Sequence, residues 1–361
     1  MDSIVHAIIT KYATGENDID LKNPLDNTCT GGTPAHFLNM VRELQKLGHI
    51  VRAFGSWKKP MIIDGVEYLP LNSITKYGNP NVWWADYDVS PLIGKAGALR
   101  IGSHHTYRLD KAAFEWIDVN TIPSQAALNT LKPFYDPWGK WVTLPNAIPD
   151  DIPKRDPVPG RVLYHTSADR GLHHLISMWP EIRRRVPYAT LHFRLNQQWL
   201  DWASLWQFDN SELGKRARLL KQDLISAELA GGFTRLPDLP RSEMWKEISQ
   251  ASVFAFPCDV RYPCETFSIS TMECCKVGVP VVLCTQDSLK QIYGGYVLSV
   301  EPPVSKQINE FIDLVVTVLT DKEVAQEYSI LGKNLASQYT YSKAGKKLSD
   351  IICEHTGWKR P

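Results

Sequence analysis

The segment Pro263-Cys264-Glu265-Thr266-Phe267-Ser268-Ile269-Ser270-Thr271-Met272-Glu273 carries two glutamates eight positions apart. The first follows an apolar run, Val253-Phe254-Ala255-Phe256-Pro257, that reads as a strand. The second falls in a helical stretch that closes at Gly278 and leads into Val279-Pro280-Val281-Val282. A helix that begins just after a strand presents backbone N–H groups without intrahelical partners, here from Phe267 onward, and these suit a diphosphate. Glu265 at that entrance can accept from the hydroxyls of a sugar. Glu273, about two turns along, can accept from those of a ribose. An ionised carboxylate only accepts, and it does so strongly.

Two series of alternating strands and helices are needed to position such residues. In the first, Ile4–Ile9 reads as a strand, and a polar loop ends at Thr30-Gly31-Gly32-Thr33. A helix is predicted over residues 35–49, with Phe37, Val41, Leu44 and Leu47 on one face and Gly48 at its close. Ile50–Phe54 forms the next strand. A β-loop-α-β unit with a glycine pair at the helix entrance predicts a parallel, doubly wound sheet. Residues 146–161 place Pro149, Pro153, Pro157 and Pro159 among charged side chains and read as an interdomain linker. The second series starts with a strand at Val162–His165, then the loop Thr166–Gly171 and a helix from Leu172 that stops before Pro187. Further strands are predicted over 189–193, 252–256 and 279–283. The expectation is an α/β protein of two Rossmann-like domains, 1–150 and 151–339, which suits a chain of 361 residues. Trp199, Trp202 and Trp206 fall on one helix face, a stripe expected to pack in the core or toward the other domain, with membrane or acceptor contact as the second reading.

Composition narrows the function classes. Lys and Arg number 40 against 39 Asp and Glu, which gives no global attraction to nucleic acid or anionic membrane. Arg183-Arg184-Arg185 is the one dense basic run and reads as a solvated helix end. The seven cysteines, Cys29, Cys258, Cys264, Cys274, Cys275, Cys284 and Cys353, include no C-x2-C pair, so reduced thiols, no zinc site and a cytoplasmic location are expected. The first apolar run is broken by His6, Lys11 and Glu16, unlike a signal peptide, and no run of about 18 apolar residues predicts a membrane span. No G-x-x-x-x-G-K-[ST] string supports an NTPase.

On these motifs the chain resembles the retaining GT-B glycosyltransferases of family 4, the E-x7-E type or "glycosyl transferases group 1". Their E-x7-E, followed by a helix end near A-x-x-x-G-x-P-V-V, is matched by E-TFSISTM-E-CCKVGVPVV, with Cys274 in place of the usual alanine. The resemblance runs in order through nearly the whole chain and is strongest over 160–285. It implies two doubly wound domains facing a central cleft, with an acceptor-side domain at 1–150 and a donor domain at 151–339. A terminal helix at about 340–361 is expected to cross back onto the first. It also implies that Arg170, in the loop TSADRGL, contacts the donor diphosphate. The family's second arginine, five residues earlier, falls here on His165, and the Ser167 hydroxyl is a compensating donor. Gly31-Gly32 resembles the glycine-rich loop near the donor phosphates and acceptor. Pro145–Asp150 resembles the P-N-G-I-D stretch that ends the first domain, with Ala147 at the glycine position. His104 or His105, with His105 favoured, corresponds to the histidine facing the reacting sugar. The stretch Phe233–Pro237, with Arg235, and then 242–251, resembles the segment near the nucleobase.

The candidate catalytic residues are thus Glu265, His105 and Arg170. The candidate donor-binding residues are Gly31, Gly32, Ser167, Arg170, Arg235, Thr266, Phe267, Ser268 and Glu273. The implied reaction moves a hexosyl or pentosyl group from a nucleoside-diphosphate sugar to an acceptor hydroxyl with retention, in glycan or glycoconjugate synthesis. Partners are the donor and a glycan, lipid-linked or small-molecule acceptor, without nucleic acid or a transmembrane segment but with room for peripheral membrane contact. No cofactor or metal is expected. The strings Asp18-Ile19-Asp20 and Asp86-Tyr87-Asp88 resemble the D-x-D by which other transferases hold a metal, but neither is expected at a strand end. The competing readings are a non-catalytic nucleotide-sugar-binding module and a sugar-nucleotide epimerase.

Overall fold

In the computed structural model, residues 2–10, 32–107, 111–135, 139–208, 210–259 and 265–361 are described. The chain divides into two units. One takes Met1–Asp150, Cys264–Phe267 and Tyr339–Pro361, and the other Asp151–Pro263 and Ser268–Gln338.

The first unit is built on an eight-stranded sheet of β1 (Ile4–Ile8), β2 (Ile50–Gly55), β3 (Met61–Ile63), β4 (Val66–Pro70), β5 (Val82–Asp86), β6 (Leu99–Ser103), β7 (Val119–Ile122) and β8 (Lys140–Thr143). Their spatial order is β3-β4-β2-β1-β5-β6-β7-β8. Only the β3–β4 pair is antiparallel. Strand β5, Val82-Trp83-Trp84-Ala85-Asp86, is buried at every position, as expected of a parallel strand covered on both faces. Helix α1 (Gly32–Lys46) buries Phe37, Leu38, Met40, Val41 and Leu44. It starts three residues before its predicted position, and Gly48 lies just beyond it with φ of 92°. Helix α2 (Gln125–Tyr135) leads toward β8.

The second unit holds β9 (Arg161–Tyr164), β10 (Thr190–Arg194), β11 (Phe233–Leu236), β12 (Val253–Phe256), β13 (Val281–Cys284) and β14 (Leu298–Val300). All pair in parallel in the order β11-β10-β9-β12-β13-β14. Parallel neighbours require crossovers, which here contain α3 (Leu172–Arg185), α4 (Gln197–Ala203), α5 (Glu212–Ala230), α6 (Arg241–Gln250), α7 (Ile269–Val277) and α8 (Ser288–Tyr293). Helices α9 (Ile308–Thr320) and α10 (Lys322–Ala336) follow the last strand. The chain works outward from β9 to one edge, then returns to β12 and works to the other. Ligands of such sheets bind beyond the carboxyl ends of the two strands at the reversal.

Helix α11 (Tyr341–Thr356) returns to the first unit, where Tyr341, Ala344, Leu348, Ile351 and Ile352 join a buried cluster with Phe37, Val41 and Leu44. Ile148 bridges Thr340, and the Ser342 hydroxyl donates to Asp150 at 2.6 Å. The tryptophan stripe is shorter than predicted. Helix α4 stops at Ala203, Trp202 is 48% exposed, and Trp206 opens a separate 3-10 turn. Among the described residues no helix is long and apolar enough to cross a membrane.

Candidate functional site

In the second unit, β9 and β12 are the neighbours at the reversal, and the loops that follow them hold most of the residues singled out. After β9, the Ser167 hydroxyl donates to Asp169, and the Asp169 carboxylate lies 3.4 Å from Arg170 Nε. The loop is therefore braced by its own side chains, which limits the wandering of the guanidinium. Gly171 follows with φ of 109°. A Cβ there would lie 2.0 Å from the Pro257 carbonyl oxygen just beyond β12. The two loops touch because this residue has no side chain.

Helix α7 begins at Ile269 with Ser268 as its N-cap. Its outward N–H groups are those of Ile269, Ser270 and Thr271, two residues later than predicted. Ser268 holds a positive φ of 68°, uncommon for a residue with a Cβ. It is kept there by a 2.8 Å bond between its hydroxyl and Thr271 and by the Tyr293 hydroxyl, which donates to its carbonyl at 2.7 Å. Glu273, one turn on, is only 1% exposed and pairs with Arg241 at the start of α6. Arg241 also stacks over Trp245 at 5.4 Å. The other oxygen of Glu273, Oε2, is buried with no hydrogen-bond partner, an acceptor that a ribose hydroxyl would satisfy. Arg235 sits on edge strand β11, exposed, and donates to Gln197 at 2.8 Å.

His165 ends up beneath this helix. Its Nε2 lies 3.4 Å from Cys274 Sγ, and its ring packs on Phe254 at 5.2 Å. Burial, and then the charges of Arg241 and Arg194, push the imidazole down to about 3. It is a neutral spacer here rather than a phosphate-binding cation. Two of the positions at which the motifs depart from the pattern they resemble are thus in contact with each other.

The first unit gathers a second group. Glu265, Thr266 and Phe267 are counted with this unit. The Thr266 hydroxyl donates to the His105 carbonyl at 3.0 Å, and the Tyr107 hydroxyl lies 3.5 Å from the Glu265 carbonyl. Phe267 is fully buried, edge-on to Tyr339 at 5.4 Å, so its side chain is out of a ligand's reach. His105 Nε2 bonds Asp86 Oδ1 at 2.7 Å, and its ring meets His36 at 5.3 Å. His104 faces the core, stacked on Phe114 and Trp141 at 5.5 Å each and bonded to Asn120 at 2.8 Å. Of the two histidines left open by sequence, His105 is the one beside a carboxylate and a second imidazole. Gly32 opens α1, whereas Gly31 and the string Asp18-Ile19-Asp20 lie outside the described residues. The second string does not behave as expected: Asp86 is the last residue of β5, a strand end, and Tyr87 turns there with φ of 74°.

No protein-family model and no curated protein sequence matches the chain. Solved structures do. Sucrose-phosphate synthase of Thermosynechococcus elongatus superposes with a TM-score of 0.74 at 14% identity, over 98% of this chain and 99% of that one. Anabaena HepE, solved with UDP-glucose, gives 0.69 at 11% over 97% and 99%. A glycosyltransferase of Rickettsia africae gives 0.69 at 10% over 98% of each chain. The chain has the GT-B fold. The predicted α/β class with two doubly wound sheets is the observed one.

Within this GT-B chain, sequence reasoning passed over Arg241, Asp86 and His36. Arg241 lies between the two stretches assigned to the nucleobase, and nothing in its spacing marks it as the partner of Glu273. Asp86 carried a signal, its D-x-D string, but the strand ending at it was not foreseen.

Burial also sets the response to acid. Desolvation is the largest cause that pushes His6, His49 and His104 down to about 4 and His165 and His173 to about 3. Unfolded, each titrates near 6.5. Between pH 6.5 and about 4 the unfolded chain binds protons that the folded chain refuses, so stability falls as pH falls, by about 1.4 kcal/mol per unit per histidine. The thermal midpoint is expected to be level above pH 7 and to drop steeply from 6.5 to 5. A midpoint unchanged at pH 4.5 would refute this.

Proposed function

We propose that the chain is a nucleotide-sugar-dependent glycosyltransferase that moves a hexose or pentose to an acceptor hydroxyl with retention of configuration. The observation that carries this reading is the convergence at one sheet reversal of the Arg170 loop, the α7 N-terminus and Glu273. This is an anion site beside a hydroxyl acceptor, on a fold shared over its full length with the structures named above. Arg170 and the N–H groups of Ile269, Ser270 and Thr271 bind the diphosphate and stabilise the charge that develops as it leaves. Glu273 Oε2 takes a ribose hydroxyl. Glu265 holds sugar hydroxyls and fixes their orientation. Ser167 and Arg235 line the donor side. Gly32 and Thr266 are further donor-binding residues, and His105 is a catalytic one. HepE was solved with UDP-glucose, so UDP is the first nucleotide to test here.

Thermal-shift titration of the whole chain with UDP, GDP and ADP tests the donor site, since a ligand of the folded state raises the midpoint with occupancy. One nucleotide should raise it, and Arg170→Ala should weaken that binding by about 100-fold, the scale of one or two charge-assisted contacts. Glu265→Gln should bind the nucleotide nearly as well and lose most turnover. A nucleotide that binds without any sugar transfer would favour a binding module, and product formed without acceptor an epimerase. No shift with any nucleotide would end the donor-site reading.

A further inference from the structure

His36 in the first turns of α1, Asp86 at the end of β5 and His105 just beyond β6 come from three separate elements and meet inside the first unit. One nitrogen or oxygen from each lies within 4.8 Å of the others. His36 is 1% exposed, Asp86 0%, and the His105 side chain 7%. Each also carries a buried polar atom with no hydrogen-bond partner: His36 Nδ1, Asp86 Oδ2 and His105 Nδ1. Buried polar atoms left in this state cost about 1–3 kcal/mol each, so a cluster that holds three of them is stabilised by gaining partners.

The chemistry of that partner follows from what the atoms are. Asp86 Oδ2 is an acceptor when the carboxylate is ionised. If the His105 ring carries its proton on Nδ1, then Nε2, 2.7 Å from Asp86 Oδ1, is an acceptor too. Acceptors facing one another are not satisfied by rearrangement among themselves. A water would supply two donors but would leave the buried Asp86 charge uncompensated. A divalent cation supplies both positive charge and a centre toward which several lone pairs can point. Two imidazoles and one carboxylate form the nitrogen–oxygen donor set that suits zinc and its neighbours, with a fourth position left for an oxygen ligand. The geometry points to His36, Asp86 and His105 as a binding site for one divalent ion of the zinc class. This departs from the sequence expectation of no metal, and it does not rest on the transferase reading, because the three residues lie in the first unit and the donor diphosphate is assigned to the second.

Full-length protein is stripped with chelator, loaded with Zn2+ or Co2+, and measured for metal content, for thermal midpoint and, with Co2+, for its visible spectrum. About one ion per chain is expected, with a raised midpoint and a spectrum of nitrogen and oxygen ligation at low coordination number. His36→Gln and Asp86→Asn should each weaken binding by at least about tenfold. The wild-type Co2+ spectrum reports ligand type directly, so a variant that fails to fold leaves the test intact. Strong thiolate-to-cobalt absorption would place the ion on cysteines and overturn the proposal. So would no retained ion, or undiminished affinity in folded variants, either of which would assign the cluster to water. None of these readouts depends on sugar transfer, so failure here leaves the donor site standing, and the reverse.

Discussion

Arg241→Met is expected to destabilise the protein by about 3–5 kcal/mol, the cost of leaving one partner of a buried ion pair behind. Glu273 is 1% exposed and has Arg241 against one of its oxygens. Methionine keeps much of the stem that covers Trp245 and removes the charge, so the loss isolates electrostatics from packing. The stranded carboxylate can escape only by taking up a proton, which desolvation favours. The penalty should therefore shrink as pH falls toward 5. Adding Glu273→Gln to Arg241→Met removes the uncompensated charge and should recover most of the loss, even though Glu273→Gln alone destabilises. Urea unfolding of the two single variants and the double variant decides the matter. An Arg241→Met protein within 1 kcal/mol of wild type would show that Glu273 has other compensation and would remove Arg241 from its role. The nucleotide response of the same variants separates stability from ligand binding, because Glu273 Oε2 is the acceptor assigned to the ribose.

The second large effect is expected from the smallest change, Gly171→Ala. Its φ of 109° already strains any residue with a Cβ, and the new carbon would fall 2.0 Å from the Pro257 carbonyl oxygen. Backbone cannot retreat as a flexible side chain can, so the loops after β9 and β12 must separate. Dihedral strain of about 1–3 kcal/mol and overpacking of a similar size together predict a loss of roughly 3–5 kcal/mol. Gly357 is the internal control. It shares the left-handed conformation, with φ of 70° and ψ of 5°, but nothing lies within 4 Å of a Cβ there, so Gly357→Ala should cost only about 1–2 kcal/mol. Equal midpoints for the two variants would contradict the close approach at Gly171. Because Arg170 is its neighbour, Gly171→Ala should also blunt the nucleotide response in whatever fraction stays folded.

The sheet content of the chain was legible because the strands are short apolar runs and the helices carry one apolar face. Val162–His165 against the observed Arg161–Tyr164, and Ile4–Ile9 against Ile4–Ile8, differ by a single residue. Helix ends were less legible. The α7 start moved from Phe267 to Ile269 because Ser268 adopts a left-handed backbone that its side chain gives no warning of. Helix α4 stopped before Trp206 because Ser204 and Leu205 close it, although the tryptophan spacing continues past them. In the candidate site, the residues tied to a local motif were visible: Arg170 by its glycine, Glu265 and Glu273 by their spacing. Arg241, Asp86 and His36 are significant only through partners distant in the chain, and no local pattern encodes a tertiary ion pair. His104 and His105 are chemically identical in sequence. Only the course of the chain just beyond β6 sends one into aromatic packing and the other toward Asp86.

The contact between His165 and Cys274 couples the two positions energetically. An arginine at 165 would need the space that the Cys274 sulfur fills, and an alanine at 274 would leave the imidazole facing a void. Arginine at 165 and alanine at 274 should each destabilise the chain alone, and the loss in the double variant should be smaller than the sum of the two, a coupling that unfolding of the four proteins measures.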